Sequence, residues 1–205
     1  MEKGLLIVLS GPSGIGKGTV CRLLKERLPL LHVSVSMTTR LPRPGELHGI
    51  HYYFVERDDF NNKINNRELL EWAQVYGHLY GTPLDKVQKK LDAGIDVILE
   101  IDTQGGLQIQ GYLHEAVLIF LLPPSLAELK KRITGRGTEK GEKLLQRLEA
   151  ACSEIEEGKT YDYLVINDRL DEAVEQVRMI VSAEKCRTKR LEYLLKEYTD
   201  REEII

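Results

Sequence analysis

Little in this sequence of 205 residues points toward a covalent scaffold, a metal centre or a membrane. It contains three cysteines, Cys21, Cys152 and Cys186, far apart and never in a CxxC pair. So scattered and odd a set excludes a disulfide framework and a zinc site of the usual spacing, and it fits a reducing compartment. Each cysteine reads as a small packing residue. The five histidines show no helical metal spacing, and His48 and His51, three apart in a polar loop, read as solvated rather than as ligands. The net charge is only −3, so there is no basic excess for wholesale binding to nucleic acid, and no nucleic-acid partner is expected. No apolar run approaches the roughly 18 residues of a membrane span, so no membrane partner is expected either. The run GLLIVL at 4–9 is short and leads into a glycine-rich loop rather than a small-residue cleavage site. No internal repeat or low-complexity tract is present. The expected location is the cytoplasm.

What is present suits one globular domain: 42% hydrophobic and 30% charged residues can bury a substantial core. The short continuous apolar run at 4–9 reads as a parallel strand buried on both faces, and the segments 96–101, 116–122 and 163–167 read as further strands of the same pattern. After each comes a segment able to form a helix. The first carries Val20, Leu23, Leu24 and Leu28 at helical spacing, and the others span 103–113, 125–134 and 171 to about 196. Ser125 and Glu128 have the spacing of a capping box. This alternation predicts an α/β fold with a central parallel sheet. Ligands of such sheets lie beyond the carboxyl ends of the strands. The glycine loop, Glu100, Asp102 and Asn167 are all predicted there, facing one crevice. Two stretches interrupt the rhythm. Residues 34–82 read as a small β-rich insertion with one helix near 58–66, and residues 135–158, running from Gly135-Arg136-Gly137 into a charged helix, read as a mobile lid. The core is then 1–33, 83–134 and 159–205.

The first strand leads into GPSGIGKGT, that is Gly11, Pro12, Ser13, Gly14, Ile15, Gly16, Lys17, Gly18 and Thr19. Glycines let the backbone curl with its N–H groups inward, the following helix adds its N-terminal dipole, and Lys17 can reach the outer phosphates. Strand, loop and helix in this order make a Walker A reading specific. One departure concerns the metal. The usual pattern follows the lysine with a hydroxyl that binds Mg²⁺, and here that place is Gly18. Magnesium is then expected mainly on nucleotide oxygens and water. Glu100, at the end of a predicted strand, is expected to orient it through water.

The insertion opens with SMTTRLPRPGE at 36–46, in which Arg40 and Arg43 frame a proline, and arginine forks match a phosphate dianion. Alone, this stretch reads as a basic surface loop followed by a half-buried hairpin. The chain also carries HYYF at 51–54, LLEWA at 69–73, YGT at 80–82, EID at 100–102, PPS at 123–125, LKKRITGRGTE at 129–139 and Asn167-Asp168. Taken together and in order, these motifs resemble the guanylate kinase family of P-loop nucleoside monophosphate kinases over most of the chain.

The resemblance implies a P-loop three-layer α/β fold with a GMP-binding insertion and a helical lid. It implies transfer of the γ-phosphoryl group of ATP to GMP, with Mg²⁺ as cofactor. Ser36, Arg40, Arg43, Tyr52 and Tyr80 match positions that bind the GMP phosphate, and Glu71, Thr82 and Asp102 match positions that read guanine. The chemistry of the residues agrees. A carboxylate at Glu71 accepts from guanine N1–H and N2–H, and a hydroxyl at Thr82 donates to O6, whereas adenine would mispair with both. Such a site can discriminate by about 10⁴–10⁵. Asp102 would face repulsion from Glu71 unless base or water intervenes. The resemblance also implies that Arg132, Arg136 and Arg147 close on the ATP phosphates. Without the phosphate loop, Arg132 and Arg136 would read as a solvated helical face. Asn167 matches a position near adenine, or else ends a strand in a turn with Asp168. Two other functions fit parts of the pattern. A non-catalytic phosphopeptide-binding module of the same fold is disfavoured by Lys17. A kinase for another small phosphorylated acceptor is disfavoured by the pair Glu71 and Thr82. Oligomeric state is left open, as is the packing of Leu191, Leu194 and Leu195 on the last helix.

Overall fold

The computed structural model describes residues 3–75, 77–135 and 142–199, and the side chains of all of these except 135, 142–147 and 196–199. At its centre is β1 (Leu6–Ser10), whose five residues LIVLS are all buried. It lies between β7 (Val97–Glu100) and β8 (Val117–Leu122), parallel to both. β2 (His32–Val33) and β9 (Tyr163–Ile166) form the edges, giving the order β2-β7-β1-β8-β9, parallel throughout. A strand alternates its side chains between faces, and β1 divides accordingly. Ile7 and Leu9 join the cluster of Val20, Leu24, Val174 and Val177 on α1 (Lys17–Arg27) and α7 (Leu170–Lys185). Leu6 and Val8 join the cluster of Val87 and Ile109 on α3 (Leu84–Asp92) and α4 (Thr103–Tyr112). With helices over both faces, a continuous apolar strand is the stable solution, and each such aliphatic side chain contributes on the order of 1.5–3 kcal/mol by leaving water.

The insertion builds a second sheet, ordered β4-β3-β6-β5, from β3 (Met37–Thr38), β4 (Tyr53–Phe54), β5 (Leu69–Val75) and β6 (His78–Pro83). α2 (Arg57–Asn65) covers it through Phe60, which is fully buried with Met37 and Leu79. The side-chain amide of Gln108 on α4 fastens this sheet to the core. It donates from Nε2 to Trp72 O at 2.7 Å and accepts at Oε1 from Trp72 N at 3.2 Å. The third unit is α5 (Leu126–Gly135) and α6 (Glu142–Glu157), which pack through Leu129, Ile133 and Ala151.

The predicted strands and helices of the core are present, with ends shifted by a few residues. Half of the capping box forms: Glu128 N donates to Ser125 Oγ at 3.1 Å, while the Glu128 carboxylate turns to Arg132 Nε at 3.3 Å. The C-terminal segment differs from the single helix expected over 171–196. It breaks into α7 and α8 (Thr188–Thr199). Glu184, 4% exposed, accepts from the Tyr163 hydroxyl of β9 and from Arg187 Nε. This anchors the last turn of α7, and Arg187 O then starts a new helix by accepting from Arg190 N and Leu191 N. On α8, Leu191 and Leu194 are half-buried and Leu195 is exposed. The cysteines also differ from expectation. Cys21 is a core residue, but Cys152 and Cys186 are exposed, and all three are free. Among the described residues no helix is long and apolar enough to cross a membrane.

Candidate active site

The glycine loop leaves β1 at the carboxyl end of the sheet. Gly11, Gly14 and Gly16 have φ of 146°, 88° and 98°, values that L side chains rarely adopt. A Cβ on Gly11 would also stand 2.6 Å from Leu121 O on β8. The loop is braced from a distance by Asn167, 5% exposed at the end of β9, whose Nδ2 donates to Ile15 O at 2.8 Å. Arg132 Nη1 donates in turn to Asn167 O at 2.9 Å. In the structure, Asn167 and Arg132 thus form a chain of hydrogen bonds that ends on the loop.

Lys17 opens α1, and its Nζ donates to Gly11 O at 2.5 Å. Burial lowers its ammonium pKa below the ordinary value, and the carboxylates of Glu100, Glu154 and Asp102 oppose that shift. Gly18 follows it. A Cβ there would lie 3.2 Å from both carboxylate oxygens of Glu100. The missing side chain therefore leaves room for the carboxylate to approach the start of α1. Ser13 to Thr19 and Glu100 line one cavity.

A second cavity of about 250 Å³ opens beside it and shares Ser13, Lys17 and Glu100. Its remaining walls include Ser36, Arg43, Tyr52, Glu71, Tyr80 and Asp102. Six of the eight residues expected to hold the acceptor thus meet next to the loop. The other two stand behind the wall. Arg40 stacks over Tyr52, its guanidinium carbon 5.5 Å from the ring centroid, and its Nη2 donates to Glu46 Oε1 at 2.9 Å. Glu46 Oε2 also accepts from Arg43 N at 2.8 Å, so one carboxylate sets both arginine positions. Thr82 is fully buried, and its hydroxyl donates to Glu71 Oε1 at 2.6 Å. The single hydroxyl proton expected for the base is here committed to Glu71, so Thr82 orients the carboxylate from behind.

Glu71 and Thr82 face each other across the antiparallel pair β5–β6. Glu71 is 4% exposed, and burial pushes its carboxyl up to about 7. The Thr82 hydroxyl holds it down in part, and the Asp102 charge adds to the rise. Gly105 on α4 approaches from the other side, where a Cβ would stand 2.5 Å from Glu71 Oε2. Asp102 caps α4, its Oδ1 accepting from Gly105 N at 2.9 Å. Burial likewise pushes the Tyr52 hydroxyl up to about 12, so it stays a donor throughout the neutral range. Arg136 lies outside the described residues, and so does the side chain of Arg147.

This geometry joins a phosphate loop to a pocket walled by a buried carboxylate and Arg43, with Arg40 behind Tyr52. A scan for families matches residues 3–184 to guanylate kinase. The chain belongs to the guanylate kinase family. It is 52% identical over 190 residues to a guanylate kinase of Halalkalibacterium halodurans, covering 93% of each chain. It is 53% identical over 191 residues to that of Clostridium tetani, covering 93% of this chain and 91% of the other. Among solved structures, the crystal structure of guanylate kinase from Anaplasma phagocytophilum superposes with a TM-score of 0.80 at 34% identity, covering 96% of both chains.

Sequence reasoning missed several residues that shape this candidate site. Glu154, Gln108 and Gly105 act through contacts between distant segments and leave no local motif. Glu46 ends the SMTTRLPRPGE stretch, and an acid three and six residues after two arginines was the available signal.

Proposed function

We propose that this member of the guanylate kinase family moves the γ-phosphoryl group of ATP to GMP, giving ADP and GDP, with ATP in the glycine loop and GMP in the adjoining cavity. The observation that carries this reading is Glu71, a buried carboxylate held by Thr82 in the wall of a cavity that also contains Lys17. Ionised Glu71 accepts from guanine N1–H and N2–H. Thr82 fixes that carboxylate, and Asp102 completes the guanine side. Ser36, Arg43, Tyr52 and Tyr80 bind the GMP phosphate, with Arg40 joining them from behind Tyr52.

An oxygen of the GMP phosphate attacks the γ-phosphorus, the bond to the β-bridging oxygen breaks, and that oxygen leaves with its charge on ADP. No proton need move, so no general base is assigned. The work of the protein is alignment and charge neutralisation. Lys17 and the loop N–H groups hold the donor. Arg132, Arg136 and Arg147 supply further positive charge as residues 135–158 close and exclude water. Asn167 holds the loop on its adenine-facing side.

The residues present fit a magnesium ion carried by the nucleotide rather than one held by the protein alone. Gly18 offers no hydroxyl, and no group of three metal-binding side chains occurs among the described residues. Glu100 is the acid beside the loop, and it would hold the ion through water. The ion, when bound, spreads the charge of the β- and γ-phosphates.

A substrate panel tests the assignment. With ATP as donor, ADP should form rapidly with GMP and at least about 10³-fold more slowly with AMP, CMP or UMP. Comparable rates with AMP would overturn the roles given to Glu71 and Thr82.

A further inference from the structure

The phosphate loop already has an anion on it. Ser13 N, one of its backbone donors, donates to Glu154 Oε2 at 3.1 Å. Glu154 lies 141 residues away, on α6. Loops of this kind turn their N–H groups toward phosphate oxygens, and a carboxylate oxygen on such a donor is the same kind of acceptor with the same sign of charge. The contact has a built setting. Ile133 on α5 closes on the loop at Gly14, where a Cβ would meet its Cγ1 at 3.1 Å. Ile133 packs with Ala151, and Ile155, next to Glu154, packs against that cluster. Apolar contacts of α5 and α6 thus deliver the carboxylate to the loop. Glu154 is also among the carboxylates that favour the charged form of Lys17.

We propose that Glu154 is a stand-in for a phosphate group of the donor nucleotide, seated on the loop when nucleotide is absent and expelled when it binds. The inference rests on the reading of the loop as the ATP site. A single N–H proton cannot serve a carboxylate and a phosphate at full strength, and two anions at that distance repel. Nucleotide binding therefore has to move Glu154, and with it the helix that carries it. The loop end of α6 is then released by the donor itself, which links filling of the loop to movement of that helix. The price is affinity: the apparent dissociation constant is the intrinsic one divided by the fraction of molecules in which the seat is empty.

The test is thermal unfolding and calorimetric titration of the full chain with a non-hydrolysable ATP analogue. The proteins are wild type, Glu154→Ala, Glu154→Gln and the control Glu156→Ala, whose carboxylate pairs with Lys159 on the outer side of the helix. Glu154→Ala should lower the Tm of the nucleotide-free protein by about 2–4 °C, leave the Tm at saturating analogue within about 1 °C of wild type, and tighten the analogue by about 3–10-fold. Glu154→Gln keeps an acceptor without the charge and should fall between the two. It carries the test alone if the alanine variant does not fold. Glu156→Ala should match wild type. Equal loss of Tm with and without analogue, unchanged or weaker binding, or the same behaviour from Glu156→Ala would each overturn the proposal. Failure of wild type to bind the analogue would instead overturn the reading of the loop.

Discussion

The two halves of this site are made of different material. The donor half is mostly main chain: a nine-residue loop whose glycines turn N–H groups inward, plus one lysine. The acceptor half is mostly side chain, drawn from the segment before β3, the arginine loop, both strands of the β5–β6 hairpin and the cap of α4. Phosphates are alike in every nucleotide, so a backbone cradle serves for all of them. A base must be told from three others, which needs acceptors and donors fixed in direction. The halves should therefore fail differently. Damage to the donor half should remove turnover for every acceptor, and damage to the acceptor half should change which acceptor is used.

The largest effect expected is that of Lys17→Ala, which should lower kcat by about 10³-fold or more with GMP. Its circular dichroism should remain native, because the buried ammonium contributes charge rather than packing. Turnover within tenfold of wild type would mean that the loop cradles phosphate without it. Next comes Glu71→Gln. It should lower kcat/KM for GMP by about 10²–10³-fold and leave the KM for ATP within about twofold, and a matched rise in both would make Glu71 structural.

The same residue sharpens the comparison through pH. Its carboxyl sits near 7 in the empty protein against an ordinary 4.5. The folded-state value is the higher one, so the contribution to stability is complete below 4.5 and is lost as pH rises through about 7. The loss is about 3 kcal/mol. The empty wild-type protein should therefore lose stability relative to Glu71→Gln between pH 5 and 8. The proposed recognition of GMP by Glu71 needs the ionised form, so the affinity for GMP should fall by up to about tenfold per unit below pH 7. Calorimetry near pH 6 in buffers of different ionisation enthalpy should show more proton release per GMP bound in wild type than in Glu71→Gln. The variant shares the titration of the GMP phosphate itself, so the difference isolates Glu71. Equal release would show that the carboxyl is already ionised.

The smallest effect is expected where the halves touch. Gly18→Ala places a methyl group 3.2 Å from the Glu100 carboxylate. It should raise the magnesium concentration needed for half-maximal rate by about 2–5-fold. Stability should hold or rise by up to about 1 kcal/mol, because alanine suits a helix better than glycine. An unchanged magnesium requirement would remove Glu100 from the metal's surroundings.

What the sequence disclosed follows the same division. The core strands were legible because parallel strands buried on both faces must be continuously apolar, as 117–122 are. The loop was legible because its glycines and lysine are contiguous. β2 and β3, two residues each, are too short to carry a period, and α3 follows its strand directly at Pro83. The acceptor residues span 36–102 and became a site through family resemblance rather than through any local pattern. The reversal of Thr82, from a donor to the base into a donor to Glu71, depends on two strands meeting in register, which neither strand alone encodes. The break between α7 and α8 hangs on the single buried carboxylate of Glu184.

Gln108 carries one more consequence. β5 is an edge of its sheet, and an edge strand presents main-chain groups to which any foreign strand can add. By accepting from and donating to Trp72, the Gln108 amide takes the rung such a strand would use. One turn away on the same helix, Gly105 seals Glu71. If the insertion swings away from α4, an adhesive sheet edge is bared together with the carboxylate proposed to recognise the base. Variants at Gln108 should therefore be judged first by how much protein stays in solution on concentration, since solubility is exposed at the same hinge as specificity.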